Sequence, residues 1–125
     1  MTVVIDTSAL IALVQQERGA DRVAANIDGA VVSTVIFAEC LSKLAGRGLD
    51  PNALTAGFLA AGLRVEPVGP TDVPAVVALH QLARRDVSLA DRFCLALALD
   101  RGLAVLTADR PWADLGLPLQ IELIR

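Results

Sequence analysis

Histidine, aromatic residues and positive charge are all scarce in this sequence. His80 is the only histidine, which excludes mechanisms built on a histidine pair and the usual histidine-rich zinc sites. Aromatic residues make up 3% of the chain, so a platform of rings that stacks successive bases is not expected. Acids outnumber bases 14 to 11, and a general basic coat for nucleic acid is therefore absent. Any chemistry on nucleic acid has to act through phosphates and metal ions.

Cysteines and long apolar runs are also few. Cys40 and Cys94 form no metal or redox motif, and each lies in an apolar helical stretch, so we expect both to be buried. The longest apolar run, residues 93–99, is far shorter than the ~20 residues that cross a bilayer. The first residues lack the basic lead of a signal peptide. With 54% hydrophobic residues, we expect one folded, soluble, cytoplasmic domain over residues 1–125.

Short β-rich runs alternate with helical segments along the chain. The pattern predicts strands at residues 2–5, 30–32, 63–68, 103–106 and 119–123. It predicts helices, with their capping residues, at residues 7–16, 20–27, 33–45, 50–61, 71–84 and 88–100. Strands separated by helices imply right-handed crossovers. We therefore expect an α/β fold in which helices flank a parallel five-stranded sheet.

Two acids follow predicted strands, and two more interrupt apolar helices. Asp6 comes directly after the first strand and Asp109 three residues after the fourth, where ligands bind in parallel sheets. Glu39 and Asp91 are expected on inward helical faces, where a carboxylate is costly unless it is paired or coordinated.

If these four acids meet, they repel one another, by about 4 kcal/mol for two charges 4 Å apart at a dielectric near 20. A divalent cation reverses that sign, and oxygen ligands alone suit Mg²⁺ or Mn²⁺. The sequence therefore predicts a divalent metal site.

Each acid also has a purely structural explanation. Asp6 could serve only as a helix N-cap, and Asp91 could merely complete a capping box with Ser88. Asp109 suits a turn, and Glu39 could form a salt bridge to an arginine. Spacing along the chain does not decide whether the four acids have these separate structural roles or share one site.

Four segments together resemble the PIN-domain ribonucleases. They are Asp6-Thr7-Ser8-Ala9-Leu10, the mid-helix Glu39, Ser88-Leu89-Ala90-Asp91 and Leu106-Thr107-Ala108-Asp109. Within that family the chain is most similar to the VapC toxins of bacterial toxin–antitoxin pairs, and the resemblance covers essentially its whole length. It implies a sheet in the strand order 3-2-1-4-5 and metal-dependent cleavage of single-stranded RNA.

The resemblance also implies roles for individual residues. Asp6, Glu39, Asp91 and Asp109 become the catalytic set that binds Mg²⁺, with Mn²⁺ as an alternative ion. Ser8 and Thr107 match polar positions that support the acids by hydrogen bonding. Asp114 is a further acid that some members would use, although the match at that position is not firm.

Partners follow from the same resemblance. Family members form homodimers and are silenced by a VapB-like antitoxin whose tail places an arginine near the acids. Arginines that flank two acid motifs were considered as contacts for RNA phosphates, namely Arg84, Arg85, Arg92 and Arg110. No membrane partner is expected.

Two other functions stay open at this point. A PIN-like protein could keep the fold as a binding module without activity. A receiver-like signalling domain also fits the chain length, but it needs an acidic pair after the first strand and a late lysine. Here Asp6 stands alone, and the only lysine, Lys43, lies in a middle helix.

Overall fold

Five short parallel strands form the centre of the computed structural model, which describes residues 2–125. They are β1 (Val3–Ile5), β2 (Val31–Ser33), β3 (Arg64–Glu66), β4 (Ala104–Thr107) and β5 (Ile121–Leu123). Their order is β3-β2-β1-β4-β5, and every pairing is parallel. Val4 of β1 lies between Val31 and Val105 of the two neighbouring strands. The predicted parallel five-stranded sheet and its strand order are confirmed.

Within residues 2–125, six α-helices lie between the first four strands. They are α1 (Thr7–Gln15), α2 (Ala20–Asn26), α3 (Thr34–Gly46), α4 (Pro51–Ala60), α5 (Val73–Val77) and α6 (Leu89–Arg101). Four caps form as the sequence suggests, because the side chains of Asp6, Ser33, Asp50 and Ser88 each accept a backbone N–H of the helix that follows. The cap predicted at Thr71 does not form, since this residue lies inside a 3₁₀ turn. Within residues 2–125, no helix is both long and apolar enough to span a membrane.

The core lies between the central strands and the helices that cover them. All three residues of β1 are buried, as a central parallel strand requires. Leu10 of α1, Ile36 of α3 and Leu95 of α6 are fully buried in the same cluster. Each such side chain contributes roughly 1.5–3 kcal/mol relative to exposure. Packing of α1, α3 and α6 on the sheet thereby fixes the positions of the polar residues that these elements carry.

The predicted single helix over residues 71–84 is wrong. The chain instead forms a 3₁₀ turn (Pro70–Asp72), the short α5 and a second 3₁₀ segment (His80–Arg85). Val76 is the only buried residue of α5, and the second 3₁₀ segment has none. A long helix is stabilised mainly by an apolar face packed on the core, and this segment lacks a continuous one.

Strand limits also differ by a few residues from those predicted. β3 ends at Glu66, since Pro67 has no N–H to donate to the sheet. β5 begins at Ile121, shortly after Pro118. Ser33 belongs to β2 and also caps α3, so strand and helix follow each other without a loop.

Candidate functional site

The four predicted acids line one cleft of about 310 Å³. Asp6 and Asp109 reach it from the carboxyl ends of β1 and β4, which are neighbours in the sheet. Glu39 comes from the middle of α3, and Asp91 from the first turn of α6. Parallel strands place their carboxyl ends at one edge, and the helices that pack on them bring the other two acids to the same edge.

Asp6 is buried, 3% exposed, and tightly bound by neighbouring donors. Its Oδ1 accepts the Ala9 N–H at 2.9 Å, and its Oδ2 accepts the Thr107 hydroxyl at 2.6 Å. The Ser8 Oγ lies 2.8 and 2.9 Å from the two carboxylate oxygens. Asp6 is therefore an N-cap and a member of the cleft at once, and both predicted supporting hydroxyls contact it.

The two hydroxyls also bind the chain beyond β4. Ser8 Oγ accepts the Ala108 N–H at 2.9 Å, and Thr107 Oγ1 accepts the Asp109 N–H at 2.9 Å. One network thus holds the end of β1 against the loop after β4. It sets the direction in which the backbone carries Asp109 toward the cleft.

Burial raises the pKa of Asp6 from 3.8 to about 6. The hydrogen bonds from Thr107, Ala9 and Ser8 act in the opposite direction but do not offset the burial, and the negative charge of Asp91 adds to the rise. A nearby positive charge favours the ionised carboxylate. Ionisation of Asp6 in the folded chain therefore costs free energy, and a cation bound nearby would lower that cost.

Asp91 combines a structural and a cleft position. Its Oδ2 accepts the Ser88 N–H at 3.0 Å, and Ser88 Oγ accepts the Asp91 N–H at 3.1 Å, which completes the predicted capping box. Its charge also raises the pKa values of Asp6 and Asp109, so it lies within electrostatic reach of both. The cap fixes the direction of the carboxylate at the cleft.

Glu39 is held by α1 rather than by an arginine. Its Oε1 accepts the Thr7 hydroxyl at 2.5 Å and lies 4.0 Å from the Lys43 ammonium. Glu39 and Asp91, expected on inward helical faces, are half-buried and line the cleft. Cys40 and Cys94 are buried, as predicted.

Asp109 is half-buried beside the indole of Trp112. Burial, and then the charge of Asp91, raise the pKa of Asp109. The buried Trp112 N–H has no hydrogen-bond partner within residues 2–125, yet it lies close enough to favour the charged form of Asp109 and partly oppose that rise. The Asp109 carboxylate is thus less tightly held than that of Asp6.

Three bases on the cleft wall were missed by the sequence reasoning. They are Lys43, Arg47 and Arg125, accompanied by Glu17. A signal for the first two was present, since they follow Glu39 at intervals of four residues on one helical face.

The flanking bases considered from the sequence lie elsewhere. Within residues 2–125, none of Arg84, Arg85, Arg92 and Arg110 lines the cleft. Asp114 is exposed at the end of a 3₁₀ segment (Arg110–Asp114) and does not line the cleft either. His80 is exposed on the surface.

The donor set fits a divalent cation of the magnesium class. All four acids offer oxygen, and their mutual repulsion needs a positive charge between them. Among residues 2–125, no group of three or more His, Cys, Asp and Glu side chains is arranged so that it could hold a metal ion by itself. Mg²⁺ does not require such a group, since it is usually held by one or two carboxylates, with waters and substrate oxygens completing its shell.

The sequence profile described as "PIN domain" matches residues 3–116. This chain belongs to the PIN domain family. The receiver-like alternative is therefore wrong. Comparison with curated proteins gives no match.

Solved structures of PIN-domain proteins share the fold closely. A toxin–antitoxin complex from Klebsiella pneumoniae aligns over 98% of both chains at 20% identity, with a TM-score of 0.77. VapC20 of Mycobacterium tuberculosis, described as a toxin that cleaves the sarcin–ricin loop, aligns over 92% of this chain and 95% of its own at 21% identity and a TM-score of 0.74. DNA-bound VapBC from Salmonella typhimurium aligns over 100% and 99% at 21% identity and a TM-score of 0.73.

Proposed function

We propose that this PIN-domain protein is the VapC-type toxin of a toxin–antitoxin pair and that it cleaves single-stranded RNA with Mg²⁺ or Mn²⁺. The observation that carries the proposal is the meeting of Asp6, Glu39, Asp91 and Asp109 at one cleft. These acids come from four separate elements of the fold. Capping explains Asp6 and Asp91 in part, but it does not explain why all four side chains share one cleft.

Each acid has a distinct task in this proposal. Asp6, fixed by Ser8 and Thr107, and Asp91, fixed by its capping box, would hold the ion. Glu39 and Asp109 are less constrained and complete the negative end of the cleft. When bound, the divalent ion supplies an acidified water as nucleophile and positive charge for the phosphate.

The four acids also explain why the cleft needs a cation before it accepts RNA. With every carboxylate ionised, the cleft repels a phosphodiester. A negative cleft also suits a basic antitoxin tail, because an arginine there forms charge-assisted bonds to carboxylates. The similarity to VapBC complexes supports a VapB-like partner, and the homodimer rests on the family resemblance.

The test is cleavage of a fluorescent single-stranded RNA by wild type, Asp6→Asn and Asp91→Asn, each purified identically. We expect wild type to cut with Mg²⁺ or Mn²⁺ and to stop with EDTA, and both variants to lose at least about a hundredfold in rate. Asp100→Asn, an exposed acid on the same helix as Asp91, is the matched control and keeps full activity.

Equal cutting by all variants would indicate a contaminant and overturn the proposal. Folded wild type that neither binds Mn²⁺ nor cuts RNA would favour the inactive binding module instead. Asp114→Asn is expected to behave like the control, because this residue lies outside the cleft.

A further inference from the structure

Lys43, Arg47 and Arg125 stand on the wall of the acid-lined cleft. The chain has 11 bases and a net charge of −3, and the only lysine is one of these three. Bases at this place are notable because the remaining charged residues of the cleft are acids, namely Asp6, Glu17, Glu39, Asp91 and Asp109. The cleft therefore carries three bases beside its acids, and two of the bases lie close to a cleft acid, Lys43 to Glu39 and Arg125 to Glu17.

Two of the bases continue the line of Glu39 along α3. Lys43 is one helical turn beyond Glu39, and Arg47, the C-cap residue, one turn further. Each step of four residues advances about 6 Å along the helix, of the order of the separation between successive phosphates in an extended strand. The Lys43 side chain is 55% exposed, so its ammonium is open to a ligand. Glu39, Lys43 and Arg47 therefore form a row along α3 that runs from the acids to the exposed surface.

Arg125 lines the same cleft from another part of the fold, beyond β5. Its guanidinium donates to the Arg18 carbonyl at 2.8 Å and lies 3.4 Å from the Glu17 carboxylate. Arg110 in turn donates to the Arg125 carbonyl at 2.7 Å. These contacts hold the backbone and the head group while the side chain stays 32% exposed. The charge is thus positioned in advance, which lowers the entropy lost on binding.

Stability does not account for the positions of these bases. The Lys43–Glu39 and Arg125–Glu17 pairs are both partly exposed to solvent, and ion pairs near the surface contribute about 0–1 kcal/mol. The Arg47 guanidinium donates to the Gln15 side-chain oxygen at 3.3 Å, and within residues 2–125 it forms no salt bridge. Three charges placed beside a site for phosphate chemistry, with little role in folding, are better explained by a ligand.

We propose that Lys43, Arg47 and Arg125 form a phosphate wall that binds the RNA backbone next to the acid cluster. This proposal rests on the proposed ribonuclease function and assigns the phosphates on one side of the cleaved bond to these residues. Lys43 and Arg47 follow the strand along α3, and Arg125 binds it from beyond β5. The wall recognises backbone charge and not base identity.

The test compares two triple variants of the whole chain. One is Lys43→Gln with Arg47→Gln and Arg125→Gln, and the control is Arg64→Gln with Arg84→Gln and Arg85→Gln, three exposed bases outside the cleft. Each loses three positive charges from a net charge of −3, and with the Asp91→Asn change that both carry the net charge is −5 for both. Both carry Asp91→Asn so that the RNA stays intact. Binding of a fluorescent single-stranded RNA is measured by anisotropy over a range of salt concentrations.

We expect the wall variant to lose roughly ten- to hundredfold in affinity at low salt, and the control less than about twofold. The slope of log affinity against log salt should fall by about 2, since each phosphate contact to a single strand contributes about 0.7. Equal losses in both variants would show a general charge effect and overturn the proposal. An unchanged salt slope would overturn it as well.

Single variants separate binding from positioning of Glu39. Lys43→Gln in an otherwise intact chain should raise KM with kcat nearly unchanged, and Lys43→Arg should restore KM. A lower kcat with unchanged KM would mean that Lys43 only holds Glu39, and would remove it from the wall.

The two proposals fail in different ways. If wild type cuts RNA but the two triple variants bind RNA with equal affinity, only the phosphate-wall proposal is wrong. If the wall residues bind RNA but wild type does not cut it, only the proposed ribonuclease function is wrong.

Discussion

Thr107 donates its hydroxyl to Asp6 Oδ2 across 2.6 Å, between residues 101 positions apart in the chain. The hydroxyl oxygen of Thr107 in turn accepts the Asp109 N–H at 2.9 Å. One fully buried hydroxyl therefore joins an acid after β1 to the backbone of an acid after β4. The geometry of the cleft depends on this contact, because it links the two strand ends that carry the site.

Thr107→Val should destabilise the fold by about 1.5–3 kcal/mol at pH 7, since a buried carboxylate loses a donor while the shape is kept. Thr107→Ser, which keeps the hydroxyl and loses only a methyl, should cost at most about 1 kcal/mol. Urea unfolding measures both. At pH 5, below the Asp6 pKa of about 6, the cost of Thr107→Val should shrink. Equal costs for the two variants would contradict the assigned bond.

Asp6 should make stability fall as the pH rises. In the folded chain its pKa is about 6 against 3.8 unfolded, so between these values the folded state holds a proton that the unfolded state has released. The contribution of this proton to the free energy of unfolding is fully present below pH 3.8. It is lost as the pH rises through about 6, a change of roughly 3 kcal/mol. The check is unfolding with EDTA from pH 4 to 7 for wild type and Asp6→Asn. Asp100→Asn should keep the wild-type slope, and a matching slope in Asp6→Asn would refute the assignment.

Gly19→Ala should destabilise the fold by much more than a non-glycine residue in the left-handed backbone conformation usually does. Gly19 has a φ of +94°, and an added Cβ would lie 2.5 Å from the Ile124 carbonyl oxygen. Gly29→Ala is the matched control, because its φ is +82° but nothing lies within 4 Å of an added Cβ. The expected costs are more than about 3 kcal/mol for Gly19→Ala and about 1–2 kcal/mol for the control. Thermal unfolding measures both, and similar values would show that the close approach is unimportant.

Trp112 should report ion binding directly. It is the only tryptophan, the chain has no tyrosine, and its indole lies beside Asp109. Paramagnetic Mn²⁺ bound in the cleft should quench its emission in a saturable way. Asp91→Asn should weaken the apparent affinity by roughly tenfold or more, and Asp100→Asn should leave it unchanged. Quenching that does not saturate, or that is the same in Asp91→Asn, would place the ion elsewhere.

Local sequence signals predicted much of the site. The apolar run before Asp6, the Ser88–Asp91 capping box and the turn after β4 are each encoded within a few residues, and each formed as expected. Because parallel strands end at one edge, these signals also predicted that Asp6 and Asp109 would lie near each other.

Other features depended on contacts that local patterns do not contain. The exposure of Glu39 follows from how α3 sits against α1, where Thr7 meets it. Arg125 reaches the cleft because β5 is an edge strand beside β4 and its continuation passes the Arg18 carbonyl. The segment over residues 71–84 is half 3₁₀ and forms no single helix, because it has no continuous apolar face packed on the core.

By itself, then, the sequence determined the order of strands and helices, their caps and the identity of four acids, since these depend on periodicity and on neighbours along the chain. Only the tertiary structure decided that Lys43, Arg47 and Arg125 line the same cleft as those acids. The physical reason is that the distances between charges across a cleft are set by how helices and strands pack together. The number of residues that separates two charges along the chain does not give those distances.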